Sequence, residues 1–159
     1  MSGFGKHRIP PVTRFTCVVL GALLVLASCG SGTVLPADGK DIQFRSGEFT
    51  LVGDVHLPQG EGPHPAVIVV HGDGPQTRTS TPGTQDVIRI FGEAGFAVFV
   101  WDKPGSGDST GEFEQGQTLR QRAEILADGI SVLAEHPAID GDRIGLWGIS
   151  QAGWVMPLT

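Results

Sequence analysis

The feature that most constrains the fold is a short apolar run that leads into the sequence Gly-x-Ser-x-Ala-Gly. The run, Ile144 to Trp147, predicts a strand, and the small and apolar residues after Ser150 predict the start of a helix. At such a sharp turn the serine backbone is strained, so the residues two before and two after it must be small. Gly148 and Ala152 occupy those positions, and we expect Gly153 to let the helix pack closely. The pattern predicts a nucleophile elbow with Ser150 at its apex.

The chain before this motif reads as alternating strands and helices. Two segments with alternating polarity, Asp41 to Arg45 and Glu48 to Leu57, predict an antiparallel pair. Three continuous apolar runs predict strands buried on both faces of a parallel sheet, at Ala66 to Val70, Phe96 to Trp101 and Ile144 to Trp147. Helical spacing predicts helices over Thr84 to Ala94 and Thr118 to Glu135, the second with a Thr118–Gln121 capping box. The strand–helix–strand order implies right-handed crossovers.

Gly-rich loops follow the predicted central strands. His71-Gly72-Asp73-Gly74-Pro75 follows the first, and Asp102-Lys103-Pro104-Gly105-Ser106-Gly107-Asp108-Ser109 follows the second. With these motifs in this order, residues 41–159 resemble the amino-terminal half of an α/β-hydrolase, and they are similar to the bacterial esterase, acyl-thioesterase and serine-aminopeptidase-like branches. The resemblance implies an α/β-hydrolase fold with a mostly parallel sheet, truncated after the nucleophile elbow.

The resemblance also implies a site. In such enzymes a serine hydroxyl attacks an acyl carbonyl, and two backbone amides stabilise the resulting oxyanion. Ser150 matches the nucleophile, and the backbone N–H of Gln151 matches the first oxyanion donor. The second donor is expected at Asp73, with Gly72 and Gly74 keeping the backbone accessible. A carboxylate there would oppose a developing oxyanion unless its side chain points away.

The acid and histidine of a catalytic triad follow the serine in this superfamily, yet no Asp, Glu or His occurs after Ser150. His71 is expected to pack under the oxyanion turn, and Asp102 to stabilise its loop. The remaining histidines of the domain are assigned to the amino-terminal hairpin region, His56 and His64, and to the end of a surface helix, His136. We therefore expect a fragment of a longer product or a truncated, inactive one. Trp147 and Trp154 are expected in the core.

The first 28 residues predict an export signal. Lys6, Arg8 and Arg14 form a basic region, and the apolar stretch Phe15 to Leu26 is short for a bilayer span. Leu26-Ala27-Ser28-Cys29 resembles a bacterial lipobox, which implies cleavage before Cys29, lipidation of that cysteine and anchoring at the outer face of a bacterial membrane. An ordinary signal peptide or a short membrane helix is the alternative. Residues 29–40 predict a flexible tether, and residues 41–159 the hydrolase domain.

Charge and composition limit the partners. Removal of the signal would take the formal charge from −6 to −9, and an acidic surface argues against nucleic acid. The sequence has no Cys/His cluster typical of zinc and no phosphate-binding loop, so it predicts no metal and no cofactor. Two functions remain open. One is a lipid-anchored serine hydrolase of carboxylic esters, thioesters or peptides, and the other is a non-catalytic lipoprotein that keeps the fold as a binding or structural surface.

Overall fold

The structure, a computed structural model, describes residues 39–79, 83–113 and 117–159, which belong to the compact unit Gly32–Thr159. The predicted signal, Cys29 and the predicted tether up to residue 38 lie outside the described residues. The last two residues of that tether contact the domain. The carbonyl of Gly39 accepts a hydrogen bond from the Val55 amide at 2.6 Å, and Lys40 Nζ lies 3.5 Å from Asp54 Oδ2.

Every strand and helix predicted for the described residues is present. The strands are β1 (Ile42–Ser46), β2 (Phe49–His56), β3 (His64–Val70), β4 (Ala97–Trp101) and β5 (Ile139–Gly148). The helices are α1 (Thr84–Glu93), α2 (Leu119–Ala134) and α3 (Ala152–Val155), and a 3₁₀ turn covers Met156–Leu158. β5 begins five residues before the predicted start, because a register shift lets Ile139 pair with His64 and Ile144 with Ala66.

The five strands form one mixed sheet in the order β1-β2-β4-β3-β5. β1 pairs with β2 and β2 with β4 in antiparallel fashion, whereas β3 lies parallel to both β4 and β5. The carboxyl ends of β3, β4 and β5 therefore meet at one edge of the sheet, which is where open α/β sheets bind ligands. The mostly parallel sheet of the predicted α/β-hydrolase fold is confirmed.

The helices cover opposite faces of the sheet. Side chains of β4 alternate between them: Phe99 joins the cluster that includes Leu126 of α2, and Val98 joins the cluster that includes Val87 of α1. All five residues of β4 are buried, as predicted for a strand covered on both sides. The capping box of α2 is present, with the Thr118 hydroxyl accepting from the Gln121 amide.

The prediction that Ile144 to Trp147 is buried is wrong. Gly145 is exposed, and the other three residues are only partly buried. The physical reason is the position of β5, which pairs only with β3 among the described strands and so lies at the edge of the sheet. An apolar run reports the hydrophobicity of a strand but not how many neighbours cover it.

Candidate active site

Ser150 lies at the turn between β5 and α3 in a strained conformation. Its φ is 59°, a left-handed value that costs a non-glycine residue free energy and tends to mark functional sites. A Cβ on Gly148 would come within 2.5 Å of the Val70 carbonyl oxygen and 2.6 Å of the Ala152 Cβ. The steric prediction for Gly148 and Ala152 is confirmed. The expectation for Gly153 is wrong, because a Cβ there would meet nothing within 4 Å.

Three of the residues predicted from sequence line one open cleft. Ser150, Gln151 and Asp73 surround a cavity of about 610 Å³, together with Leu119 and Trp154. Trp154 is 70% exposed, so the prediction that it belongs to the core is wrong; the one-turn helix α3 turns it towards the cleft. Trp147 is partly buried and packs with the α1 cluster.

The loop after β3 lies directly beside the elbow. A Cβ on Gly72 would be 3.5 Å from the Ser150 Cβ and 3.6 Å from the Ile149 carbonyl oxygen. Asp73 is exposed and Gly74 has a φ of 80°. Within the described residues, the backbone amides of Asp73 and Gln151 donate to no other protein group. Both amides therefore keep their hydrogen-bonding capacity for a ligand in the cleft.

Two buried cations bind the other side of this loop. Lys103 Nζ donates to the carbonyl oxygens of Gly72 at 2.8 Å and Gly74 at 2.7 Å. The Arg122 guanidinium donates to the carbonyl oxygens of His71 at 2.6 Å and Gly72 at 2.9 Å. We call this pair the carbonyl clamp.

Sequence reasoning missed the clamp, although a signal existed. Arg122 lies three residues after Leu119 and four before Leu126, so helical periodicity puts it on the apolar face of α2. Both cations are buried, at 4% exposure for Lys103 and 8% for Arg122. Burial, aided by the charge of Arg122, lowers the pKa of Lys103 to about 8, and the Asp73 carboxylate opposes that shift. Burial also lowers the pKa of Arg122, and the negative charge of Asp73 again opposes the shift.

His71 has the structural role that the sequence predicted. It is 1% exposed, and its Nε2 donates to the Trp101 carbonyl oxygen at 2.5 Å. Burial lowers the pKa of His71 to about 4, and the charges of Lys103 and Arg122 act in the same direction. The ring is therefore neutral near pH 7.

The other described histidines lie at the amino-terminal ends of the parallel strands, opposite the carboxyl ends where Ser150 lies. His64 begins β3 and pairs with Ile139, so the length of β3 puts it about 20 Å from the elbow edge. His56 pairs with Val98, near the start of β4. His136, predicted at the end of a surface helix, is instead buried, and its Nδ1 accepts a hydrogen bond from the Ala138 amide.

Asp102 stabilises its loop, as the sequence predicted. Its carboxylate accepts hydrogen bonds from the Arg78 guanidinium at 2.6 Å and from the Asp108 amide at 3.0 Å. Its backbone carbonyl accepts from the Ser109 hydroxyl at 2.7 Å. A carboxylate engaged in this way connects the loops after β3 and β4 and does not reach the serine.

Comparison with known proteins identifies the family. Residues 47–158 match the family profile described as X-Pro dipeptidyl-peptidase (S15 family). The chain belongs to this S15 family. The S15 match, the fold and the relatives that follow make it a member of the α/β-hydrolase superfamily.

Three similar proteins illustrate the relationship. The chain is 31% identical over 120 residues to the thiohydrolase aneE of Aspergillus aculeatus, an alignment that covers 73% of this chain and 37% of that one. The crystal structure of the α/β-hydrolase GrgF from Penicillium sp. is 29% identical with a TM-score of 0.61, over 72% of this S15 chain and 38% of GrgF. Est1E of Butyrivibrio proteoclasticus, solved with ferulic acid, has the same TM-score at 21% identity, over 72% of this chain and 44% of Est1E, and shows the fold alone.

The S15 chain spans between a third and a half of the length of these relatives. Among the described residues, no group of three or more His, Cys, Asp or Glu side chains is arranged to bind a metal ion. In the same part of the chain, every helix is too short or too polar to cross a membrane.

Proposed function

We propose that this S15 family member is a serine hydrolase of carboxylic esters, thioesters or related acyl bonds, with Ser150 as its nucleophile. The observation that carries the proposal is the strained φ of 59° at Ser150, on a strand-to-helix turn so close to Gly72 that a Cβ on Gly72 would lie 3.5 Å from the Ser150 Cβ. A strained backbone persists only where the surrounding structure imposes it, and here the strain turns a hydroxyl towards an open cleft. The named activity of the relative aneE favours a thioester.

In the proposed reaction the Ser150 hydroxyl attacks the acyl carbonyl and a base takes its proton. The amides of Gln151 and Asp73 stabilise the tetrahedral oxyanion, with Gly72 and Gly74 leaving that backbone open to substrate. The proton then passes to the departing alcohol, thiol or amine, and water releases the acyl group from Ser150 by the same route. Each oxyanion donor contributes about 3 to 4 kcal/mol in the transition state.

The proposed reaction takes its base from outside the described residues. His71 is unsuited to the role, because its Nε2 is committed to the Trp101 carbonyl and its pKa is about 4. A general base works best with a pKa near the operating pH.

The test uses the product of the intact gene, read to its own stop codon. We expect a fluorophosphonate probe to label Ser150, and we expect hydrolysis of short-chain p-nitrophenyl esters and acyl thioesters. Ser150→Ala should abolish both signals. Gln151→Ala serves as the matched control, because the backbone amide survives the substitution. Hydrolysis that persists in Ser150→Ala would overturn the assignment of Ser150 as the nucleophile. Folded protein with neither labelling nor hydrolysis would favour the non-catalytic alternative.

We also propose that Cys29 carries lipid and anchors the protein at the outer face of a bacterial membrane. The support is the lipobox-like Leu26-Ala27-Ser28-Cys29. In a bacterial host the protein should incorporate labelled palmitate, and Cys29→Ser should remove the label while Cys17→Ser leaves it. Label that persists in Cys29→Ser would rule out this site.

A further inference from the structure

We propose that Lys103 and Arg122 are positioning residues that set the second oxyanion donor by holding the carbonyls of the loop after β3. This inference rests on the proposed function, since it assigns a role to residues behind the proposed oxyanion hole. Neither residue touches the cleft: Lys103 and Arg122 are both buried, whereas Asp73 and Ser150 line the open side.

The first step of the argument is the planarity of the peptide bond. In a trans peptide, the C=O of one residue and the N–H of the next point in opposite directions. The Gly72 carbonyl points at Lys103 Nζ (2.8 Å) and at the Arg122 guanidinium (2.9 Å). The Asp73 amide must therefore point away from both cations. The direction of the Asp73 N–H is therefore fixed by the two cations that bind the Gly72 carbonyl.

The neighbouring peptides are held as well. Arg122 donates a hydrogen bond to the His71 carbonyl and Lys103 donates one to the Gly74 carbonyl. The carbonyl clamp therefore binds the loop on both sides of Asp73. The carbonyl of Asp73 itself accepts from Gln76 Nε2 at 3.3 Å. Four consecutive carbonyls, from His71 to Gly74, thus have side-chain donors. A loop without a secondary-structure ladder is thereby held in one arrangement before a substrate arrives, which is what oxyanion stabilisation requires.

The second step is electrostatic. A cation on a carbonyl oxygen polarises the peptide and strengthens the N–H at its other end as a donor. The positively charged side chains of Lys103 and Arg122 both donate to the carbonyl of the Gly72–Asp73 peptide, and the exposed Asp73 carboxylate offsets part of their electric field. Charge that develops on the oxyanion is therefore stabilised through the peptide by buried cations that never touch the substrate.

The variants for the test are Lys103→Met and Arg122→Met, which keep the apolar stems and remove the charges. Arg122→Lys is the conservative variant, because lysine keeps the charge but is shorter and lacks Nη2, the nitrogen that donates to both carbonyls. Arg120→Gln is the matched control, since Arg120 is an exposed cation on the same helix. All are made in the product of the intact gene, and kinetics are normalised to folded monomer.

The kinetic expectation is a fall in kcat of between about 10- and 100-fold for each methionine variant, with KM changed by less than about twofold. Affinity for a trifluoromethyl ketone, a mimic of the tetrahedral intermediate, should fall in parallel with kcat. Arg122→Lys should recover part of the loss, and Arg120→Gln should equal the wild type. The double methionine variant should lose less than the product of the single losses, because both cations bind the Gly72 carbonyl.

Carbon-13 NMR of the loop carbonyls supplies a readout that does not depend on catalysis. The carbonyl resonances of Gly72 and Gly74 should move upfield in Lys103→Met, because each carbonyl loses its hydrogen bond from Lys103 Nζ, and they should keep their wild-type positions in Arg120→Gln. Unchanged resonances in Lys103→Met would overturn the clamp, and so would shifted resonances with an unchanged kcat. If the wild type neither labels at Ser150 nor hydrolyses an ester, the proposed function fails, and the carbonyl resonances still decide whether the clamp holds this loop.

Discussion

Gly148 is the residue at which the elbow is least tolerant of a side chain. A methyl group there would meet the Val70 carbonyl and the Ala152 Cβ at 2.5 and 2.6 Å, and both belong to elements that cannot retreat without moving β3 or α3. We expect Gly148→Ala to lower the free energy of unfolding by about 2 kcal/mol or more. Urea denaturation measures this.

Gly153→Ala is the matched control, three residues beyond the serine. Its new methyl group would enter open space, and alanine is the better helix former by about 0.5 to 1 kcal/mol. Equal destabilisation by the two substitutions would mean that glycine at 148 is not required by packing.

His71 predicts how stability depends on pH. Its pKa is about 4 in the folded state and 6.5 when unfolded, so between these values only the unfolded chain binds the proton. Acidification from pH 6.5 to 4 should therefore lower the free energy of unfolding, by on the order of 3 kcal/mol from this residue alone. Denaturant titrations across this range measure the slope.

The variant His71→Gln keeps a donor for the Trp101 carbonyl but does not titrate. We expect this variant to be folded at pH 7 and to lose less unfolding free energy than the wild type when the pH falls from 6.5 to 4. His56→Gln is a control from the same sheet. Burial lowers the pKa of His56 as well, but His56 is only partly buried, so its replacement should change the acid sensitivity less than His71→Gln does. An unchanged acid slope in His71→Gln would show that His71 does not bind its proton in this range.

At the scale of single elements, α2 depends on its amino-terminal cap. The Thr118 hydroxyl accepts from the Gln121 amide at 3.2 Å, and Gln121 Oε1 accepts from the Thr118 amide at 2.9 Å. Thr118→Ala removes the first bond and should cost about 1 kcal/mol in stability. Thermal unfolding measures the loss.

Ser131→Ala is the control on the same helix. Its hydroxyl bonds only to the Ala127 carbonyl one turn earlier, so its removal should leave stability unchanged or slightly higher. If Thr118→Ala behaved like Ser131→Ala, the cap would contribute nothing to this helix.

The elements were predictable from sequence because each carries its own local signal. Alternation along Phe49–His56 and the Thr118–Gln121 pair are visible without any tertiary information. Burial was predictable only where neighbours exist on both faces, as for β4, and failed for β5, whose exposure depends on its place at the sheet edge.

The site was predictable in part for a similar reason. Ser150 and Gly148 belong to one short motif, so their arrangement follows from local sterics. Lys103 and Arg122 are 19 positions apart in the sequence and act on a loop about 30 to 50 residues upstream of them. Only the tertiary structure shows which carbonyls those cations reach.

At the scale of the whole molecule, apolar side chains remain uncovered around the elbow. Ile149, Trp154 and Leu158 are between 52% and 70% exposed, and they follow β5, the edge strand among the described residues, in the chain. Exposed apolar side chains and an edge strand without a second partner both favour association. We expect a polypeptide of these 159 residues to self-associate in sedimentation velocity experiments.

Trp154→Gln and Ile149→Gln should reduce that association. Ile90→Gln is the control, because Ile90 is 54% exposed but lies on α1, away from the elbow. A monomer at all concentrations would contradict the expectation. An equal effect of Ile90→Gln would mean that self-association does not depend on the apolar side chains around the elbow.

The exposed indole of Trp154 gives the cleft an optical reporter. Trp154 lines the same cavity as Ser150, whereas Trp101 is buried between the sheet and α2 and donates its indole N–H to the Val69 carbonyl. Indole emission moves to shorter wavelength when water leaves the ring, so an acyl group that enters the cleft should shift the light from Trp154 and leave that from Trp101 unchanged. Occupancy of the cleft can then be followed by intrinsic fluorescence, without a label and before any bond is broken.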